Sequence, residues 1–510
     1  MNAKGLNRRS FITGTAMGAA ALAAAGIRVE EARAAQPPAN WAAEADVVVV
    51  GLGAGGAAAA IAAADAGARV LLLEKGRGPS GATPVSSGTI WLPLNPLQQQ
   101  ADSVEQVVTY LTECGKGEVD EALVRTFAEQ SKATAEWLLN TVGLKATQPN
   151  RYDYHPFYKG AGRGRNISSQ GMGAGLMTVL TNAAKARKVE IRTGIRARRL
   201  VVNEQGRVVG VLGEKPGESF KATRGVILCA GGFGSNDAMK KSFLKMHPVY
   251  MQLPGLLGDG ILMGMGAGAA IEGMNKFVGA PLFPIPGTQR GLRFAIFGAP
   301  SCIMVNKKGR RFCNETADYD TVTTSFLAFD TLEDGYPNVP AWLIFDEKLR
   351  TKGAISRDPS WSKDNQAELQ KGWIKKADTL EDLAAQTGVD PKGLAETVEG
   401  YNRNAASGKD PLFKRGEIPG TVGVGKLEGP PFYAIYVTPG LYDTAGGLKI
   451  NPKSQVLNVF GEPIPGLYAA GTTAHMVTGF YYANGGSAIA QPLLFGRIAG
   501  TAAAGEKPWA

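Results

Sequence analysis

Histidine and cysteine are scarce in this chain. Its 510 residues hold three histidines, His155, His247 and His475, and four cysteines, Cys114, Cys229, Cys302 and Cys313. No CxxC or CxxCH spacing occurs, which excludes a zinc ribbon, a c-type haem attachment and a disulfide framework. The scattered histidines build no metal site, so no metal is expected and at most a single imidazole is available for catalysis. Internal repeats and low-complexity tracts are absent, and beyond the N-terminal segment no apolar run is long enough to cross a bilayer. The basic clusters Lys185-Ala-Arg187-Lys188 and Arg196-Ala-Arg198-Arg199 lack the interleaved aromatics of nucleic-acid grooves and read as solvated faces. Glycine, by contrast, is abundant: 67 residues, about 13% of the chain against a usual share of about 7%. The glycines fall in short apolar clusters without a collagen period, a pattern that points to close backbone approach to something bound. The length suits two or three domains with sizeable cores.

Residues 1–34 read as an address. Arg8-Arg9-Ser10-Phe11 precedes an Ala-rich apolar stretch to Ala25, and Ala32-Arg33-Ala34 supplies an A-x-A cleavage pattern, as in a twin-arginine signal peptide. Removal after Ala34 takes the net charge from +10 to +7. A soluble periplasmic protein with no membrane span in its mature chain is therefore expected. Twin-arginine export carries folded proteins, which fits a cofactor loaded before export.

A dinucleotide site opens the mature chain. The β-branched run Asp46–Val50 leads directly into Gly51-Leu-Gly53-Ala54-Gly55-Gly56 and an Ala-rich helical stretch to about Ala66. Gly51 permits the tight turn, Gly53 lets the backbone approach a pyrophosphate, and Gly56 lets helix and strand pack closely. A second strand, Arg69–Leu73, ends at Glu74, 23 residues after Gly51, where a carboxylate accepts hydrogen bonds from a ribose diol. Further on, Gly81-Ala82-Thr83 to Ser87-Gly88, Ala230-Gly231-Gly232-Phe233 and Ala469-Ala470-Gly471 are small-residue clusters, the last two at the ends of apolar strands. Several such ends converging from distant parts of the chain suit a long, extended FAD better than an exchangeable nicotinamide.

These clusters, together with Gly258-Asp259-Gly260, resemble the FAD-binding half of the fumarate reductase and 3-ketosteroid dehydrogenase superfamily over nearly all of residues 45–505. Ser87–Pro93, Gly309-Arg-Arg-Phe-Cys-Asn-Glu315 and the stretch from Gly388 through Tyr401-Asn402 to Asp410 are similar to motifs of the same group. The resemblance implies an α/β fold: a Rossmann-type FAD-binding domain in two pieces, 45–276 and 426–510, with an α+β substrate-capping domain, 277–425, inserted between them. The Pro/Gly-rich change of composition over residues 277–300 agrees independently with an insertion. Lys75 next to Glu74, and Ser487 and Ala488 at the last helix start, join the implied FAD contacts.

Fumarate-type members carry a proton-donating arginine after the Arg-Phe-x-Asn-Glu motif and a second carboxylate-binding arginine near the C-terminus. The corresponding positions here are Tyr319 and Ala483. The replacements resemble 3-ketosteroid Δ1-dehydrogenases, in which one tyrosine is the base and a second, with a glycine N–H, polarises the ketone oxygen. Tyr319 takes the first role, and Tyr482 with Gly486 the second. Tyr481 is an alternative neighbour, and Tyr152 or Tyr154 corresponds to a third active-site tyrosine. Asp443 and His475 are weaker candidates for proton movement. The expected reaction is α,β-desaturation of an apolar cyclic ketone, 3-ketosteroid or cyclohexanone-like. The alternative is a fumarate- or urocanate-type ene reductase, for which Arg163 and Arg165 leave room to bind an acid. With no haem motif, electrons pass to or from a separate carrier, a quinone or a cytochrome.

Overall fold

The computed structural model describes residues 33–246, 248–251, 255–478 and 482–509. Residues 1–32, which hold most of the expected signal peptide, His247 and Tyr481 lie outside the described residues. In chain order, the elements that position the site are β1 (Ala43–Val50), α1 (Ala54–Asp65), β2 (Val70–Glu74), β3 (Glu190–Thr193), β4 (Ser219–Leu228), β5 (Phe277–Pro284), β6 (Cys302–Asn306), α2 (Tyr319–Thr324), β7 (Ala341–Asp346), β8 (Phe432–Thr444), β9 (Pro463–Ala469) and α3 (Ser487–Ala504).

Five strands form the parallel part of an eight-stranded sheet in the order β9-β4-β1-β2-β3. The valine run of β1 is central: Val47–Val50 pair with Val70–Leu73 on one side and with Gly225–Leu228 on the other. A parallel strand covered on both faces needs a continuous apolar sequence, and Val47, Val48 and Val49 are fully buried. The carboxyl ends of β1, β2, β4 and β9 therefore open on one edge, the place where open α/β sheets bind ligands.

Helices α1 and α3 cover this sheet and touch backbone to backbone. Residues Ala54–Ala63 of α1 are all buried, and none is larger than Ile61. A methyl group at Gly496 would run into the carbonyl oxygen of Gly55, and one at Gly500 into that of Ala59. The small residues are thus fixed by the distance between two helix axes rather than by helix propensity.

A second, seven-stranded sheet contains β5, β6, β7 and β8. Here β8 is central, pairing antiparallel with β5 and β7, and also with Ile374–Ala377 and Val249–Tyr250. The boundary read at residue 426 counts β8 with the second FAD-binding piece, whereas its hydrogen bonds place it in the middle of the second sheet. Val249–Tyr250, from the first piece, joins that sheet as well. Composition marks where a chain leaves one sheet, but pairing decides where a strand belongs.

Gly500→Ala tests the helix contact. Helix propensity alone favours alanine by about 1 kcal/mol, while overpacking against a fixed backbone costs about 1–3 kcal/mol. Urea denaturation is expected to show a net loss of stability; a gain would mean that the helices separate freely.

Candidate active site

A cavity of about 890 Å³ runs along the carboxyl edge of the parallel sheet and under the second sheet. Its floor begins at the β1–α1 turn. Gly51 has φ +104°, and a Cβ there would strike the backbone of Cys229; a Cβ at Gly56 would strike the Gly51 carbonyl. Both glycines therefore lock strand, turn and helix together. Gly53 is the N-cap of α1 and offers no capping side chain. A Cβ on it would find only Thr83 Oγ1, at 3.8 Å, so its cavity side is open. Thr83 Oγ1 accepts from the Ala54 amide at 3.3 Å. Gly53, Ala54 and Gly55 line the cavity, presenting the first-turn amides of a 12-residue helix to whatever lies there. Such an end attracts phosphate oxygens.

Glu74, at the end of β2, is buried. Its Oε1 accepts from the Gly76 amide at 2.6 Å and the Ser80 hydroxyl at 2.8 Å, and its Oε2 accepts from the Leu52 amide at 2.8 Å. With about four lone-pair sites on a carboxylate, Oε2 keeps one for a ribose hydroxyl. Beyond it, Asp259 takes Lys75 Nζ at 3.1 Å on one oxygen and Arg196 Nη2 at 2.8 Å on the other. Burial raises the Asp259 carboxyl, but these cations overcome it and hold the group below its ordinary range. Arg196, read from the sequence as part of a solvated face, lines the cavity instead. Ala82, Thr83, Ser87, Ala230, Gly231, Gly471 and Ala488 also line it. The open glycine cradle, the uncapped helix and the spare carboxylate acceptor fit the diphosphate and ribose of FAD.

Five expected cofactor contacts do not line the cavity. Gly56 packs as just described. Gly88, with φ +67°, turns against Ser169 and the Met172 backbone, and Gly232 lies against Thr444 Oγ1. Ala470 is fully buried, and the Ser487 hydroxyl is exchanged with the Asn484 backbone. These small residues serve close packing behind the wall.

At the other end of the cavity the second sheet delivers Tyr319. Buried Arg311 grips Glu315 through two contacts, of 2.8 and 2.6 Å, and Asp410 at 2.9 Å, fixing the turn that leads into α2. The Arg311-Phe-Cys-Asn-Glu315 motif is therefore a brace. Asp318 caps α2 by accepting from the Asp320 and Thr321 amides, so Tyr319 enters the cavity from the first helical position. Asp320 then ties the layers together: its two oxygens accept from the Gly279 amide at 2.7 Å and the Tyr482 amide at 3.2 Å.

Four tyrosines converge there. Ring centroids of Tyr319 stand 5.6 Å from Tyr154, 5.0 Å from Tyr442 and 6.0 Å from Tyr482. A Cβ on Gly485 would come within 2.5 Å of the Tyr154 hydroxyl, so glycine there leaves that hydroxyl in place, and the Tyr319 hydroxyl stands 3.8 Å from the same point. Tyr482 Oη accepts from the Gly486 and Ala488 amides, each at 3.1 Å, at the start of α3. The Gly486 amide thus points at the tyrosine, whereas the sequence reading aimed it at the ketone. Desolvation pushes Tyr482 up to about 12 despite those amides, and it raises Tyr154 and Tyr319 too.

Tyr154 is the enclosed member of its segment; Tyr152 sits at the rim with Arg163 over its ring at 4.8 Å. Arg163 and Arg165 are not in the cavity wall: buried Arg165 is spent on Asp102 and Asp153 at 2.8 and 2.7 Å. Arg293 and Arg357 line the cavity in their stead, unnoticed in the sequence because nothing marks a lone arginine before folding. His475 bonds its Nδ1 to the Leu448 carbonyl at 3.2 Å and lies outside this wall.

Asp443 does line it, and burial pushes both Asp443 and Asp320 up to about 7. Their folded-state values lie above the unfolded value of about 3.9. The stability they contribute is full below about pH 4 and is lost as pH rises through about 7. Asp443→Asn, which keeps an acceptor for the Thr444 amide, is expected to flatten the fall in urea midpoint between about pH 5 and pH 7. Parallel wild-type and variant profiles would contradict the shift.

Residues 46–489 match the FAD binding domain family. The fumarate reductase (cytochrome) of Shewanella frigidimarina is 32% identical over 479 residues, covering 90% of this chain and 77% of that one. The 4-oxocyclohexanecarboxylate 2-dehydrogenase of Sinomonas cyclohexanicum is 27% identical, with 90% and 93% covered. Among solved structures, 3-ketosteroid Δ1-dehydrogenase from Sterolibacterium denitrificans, in complex with 1,4-androstadiene-3,17-dione, superposes with a TM-score of 0.82 at 27% identity, covering 90% of this chain and 99% of that one. With its glycine turn and carboxylate in place at the head of the cavity, the chain is an FAD-binding oxidoreductase that belongs to the FAD binding domain family, alongside the fumarate reductases and 3-ketosteroid dehydrogenases.

Proposed function

We propose that the protein introduces a double bond α,β to the carbonyl of a cyclic ketone. The observation that carries this reading is the Tyr482 hydroxyl, held by two amides at the N-terminus of α3 and facing Tyr319 and Tyr154. With the oxygen of Tyr482 accepting from Gly486 and Ala488, its own proton is the one left to donate into the cavity. A ketone oxygen there receives that hydrogen bond as negative charge builds on it, backed by the positive end of an 18-residue helix. One preorganised donor of this kind contributes about 3–4 kcal/mol to a developing oxyanion.

Tyr319 is the group placed to take the α-proton. Burial among phenols makes it a strong base once ionised and a rare phenolate at neutral pH. Its edge-on neighbour Tyr154 offers the path by which its own proton leaves. When bound, FAD supplies the acceptor for the β-hydride, which no side chain here can provide. Tyrosine in place of arginine at residue 319, and alanine at 483, argue against a small dicarboxylate. The fumarate reductases among the relatives favour the second reading, reduction of an unsaturated acid.

Mixing the holoenzyme anaerobically with a panel of cyclic ketones is expected to bleach the flavin, and Tyr319→Phe to slow bleaching by about 10²–10⁴-fold. The wild-type rate should rise with pH through the alkaline range, because the working form of Tyr319 is the deprotonated one. If ketones leave the flavin oxidised while unsaturated acids reoxidise the reduced enzyme, the reductase reading replaces this one.

We also propose export by the twin-arginine route, supported by Arg8-Arg9 and Ala32-Arg33-Ala34, and a separate quinone or cytochrome as electron partner. Osmotic-shock fractions are expected to contain the chain beginning at Ala35; retention in the cytoplasm with an intact N-terminus would refute export.

A further inference from the structure

Between β5 and β6 the short strand Gly291–Arg293 runs on into Phe294, which bridges antiparallel to Ser356. The Ala295 amide donates to the Ile355 carbonyl at 2.7 Å, and Ser356 Oγ donates to the Arg293 carbonyl at 2.9 Å. This register sets Arg293 directly across from Arg357. Phe294 and Ser356 point the other way and are buried, while both arginines are exposed and line the cavity. Two like charges opposite one another on a sheet face destabilise it, and among the described residues no carboxylate lies within 4.0 Å of either guanidinium. Their neighbours in the wall differ. Lys75 and Arg196, at the FAD end, are both spent on Asp259. The positive charge of Arg293 is felt by the phenols of Tyr154 and Tyr442, which places it at the tyrosine end.

An unpaired cationic couple facing a cavity is a receptor for an anion, and a planar guanidinium matches a carboxylate in two-point contact. We propose that Arg293 and Arg357 receive a carboxylate carried by the ketone substrate. The substrate class is then an oxo acid built on an apolar ring, gripped by its carboxylate at the arginines and presenting its ketone to Tyr482. This rests on the desaturase reading above and narrows it.

The test uses probes that cannot react. Cyclohexanecarboxylate and its methyl ester are titrated into the oxidised holoenzyme by calorimetry. The acid is expected to bind at least about tenfold more tightly than the ester, the scale of one charge-assisted contact. Arg293→Gln and Arg357→Gln should each erase about that factor for the acid and leave the ester within about twofold, with the flavin spectrum unchanged as a check on folding. Arg293→Lys should restore part of the preference. Equal binding of acid and ester, equal loss of both in the variants, or no binding of either overturns the proposal. A separate comparison of 4-oxocyclohexanecarboxylate with its methyl ester in the bleaching assay keeps the two readings apart. Bleaching by both at equal efficiency sinks the carboxylate site alone, whereas tight acid binding with no bleaching by any ketone sinks the desaturase reading alone.

Discussion

The backbone contact between α1 and α3 governs the rest of the molecule. These helices come from opposite ends of the chain, and they approach so closely that a Cβ at Gly496 would run into the backbone of Gly55 and one at Gly500 into that of Ala59. Their packing fixes two N-termini against one cavity. The first, at Gly53, offers amides to a diphosphate; the second, at Gly486, holds the hydroxyl of Tyr482. The spacing between the diphosphate cradle and the Tyr482 hydroxyl is therefore set by helix axes, which are stiff, and not by loops.

Electrostatics at the tyrosine end follow from what is missing. Among the described residues no histidine enters the wall, and burial pushes two of the nearby acids, Asp320 and Asp443, up to about 7 because it makes their charge expensive. The tyrosines thus face one another with desolvation as the dominant influence, Asp318 raising Tyr154 further and Arg293 lowering both Tyr154 and Tyr442. A phenol in such surroundings keeps its proton until something polar arrives beside it. The same burial makes any hydrogen bond that Tyr482 forms inside the cavity count for more than it would in water.

Much of the cofactor end was legible before folding because its demands fall on the backbone, and backbone demands are written as glycine. Gly51 and Gly56 are examples: each can be no other residue without striking backbone of the same chain, at Cys229 and at Gly51 respectively. The same rule misleads at Gly88, Gly232 and Ser487, since close packing behind a wall selects small residues just as contact with a ligand does. Tyr319 and Tyr482 were legible through resemblance alone. Arg293 and Arg357 were not legible, because their partnership arises from a strand register across 64 residues of sequence. Asp320, which joins Gly279 to Tyr482, has no local signature either, as both of its partners are backbone amides.

Strand β8 carries a consequence for dissection of the chain. It is the middle strand of the second sheet, its Phe432–Val437 half pairs with β7, and its last residue, Thr444, accepts the Phe233 amide of the other layer. A fragment cut at residues 277–425 would lack the strand on which its own sheet is assembled, leaving the edges of β5 and β7 bare. The layers are separate in architecture yet joined through β8, so cutting the chain at those boundaries would unpair strands of the second sheet.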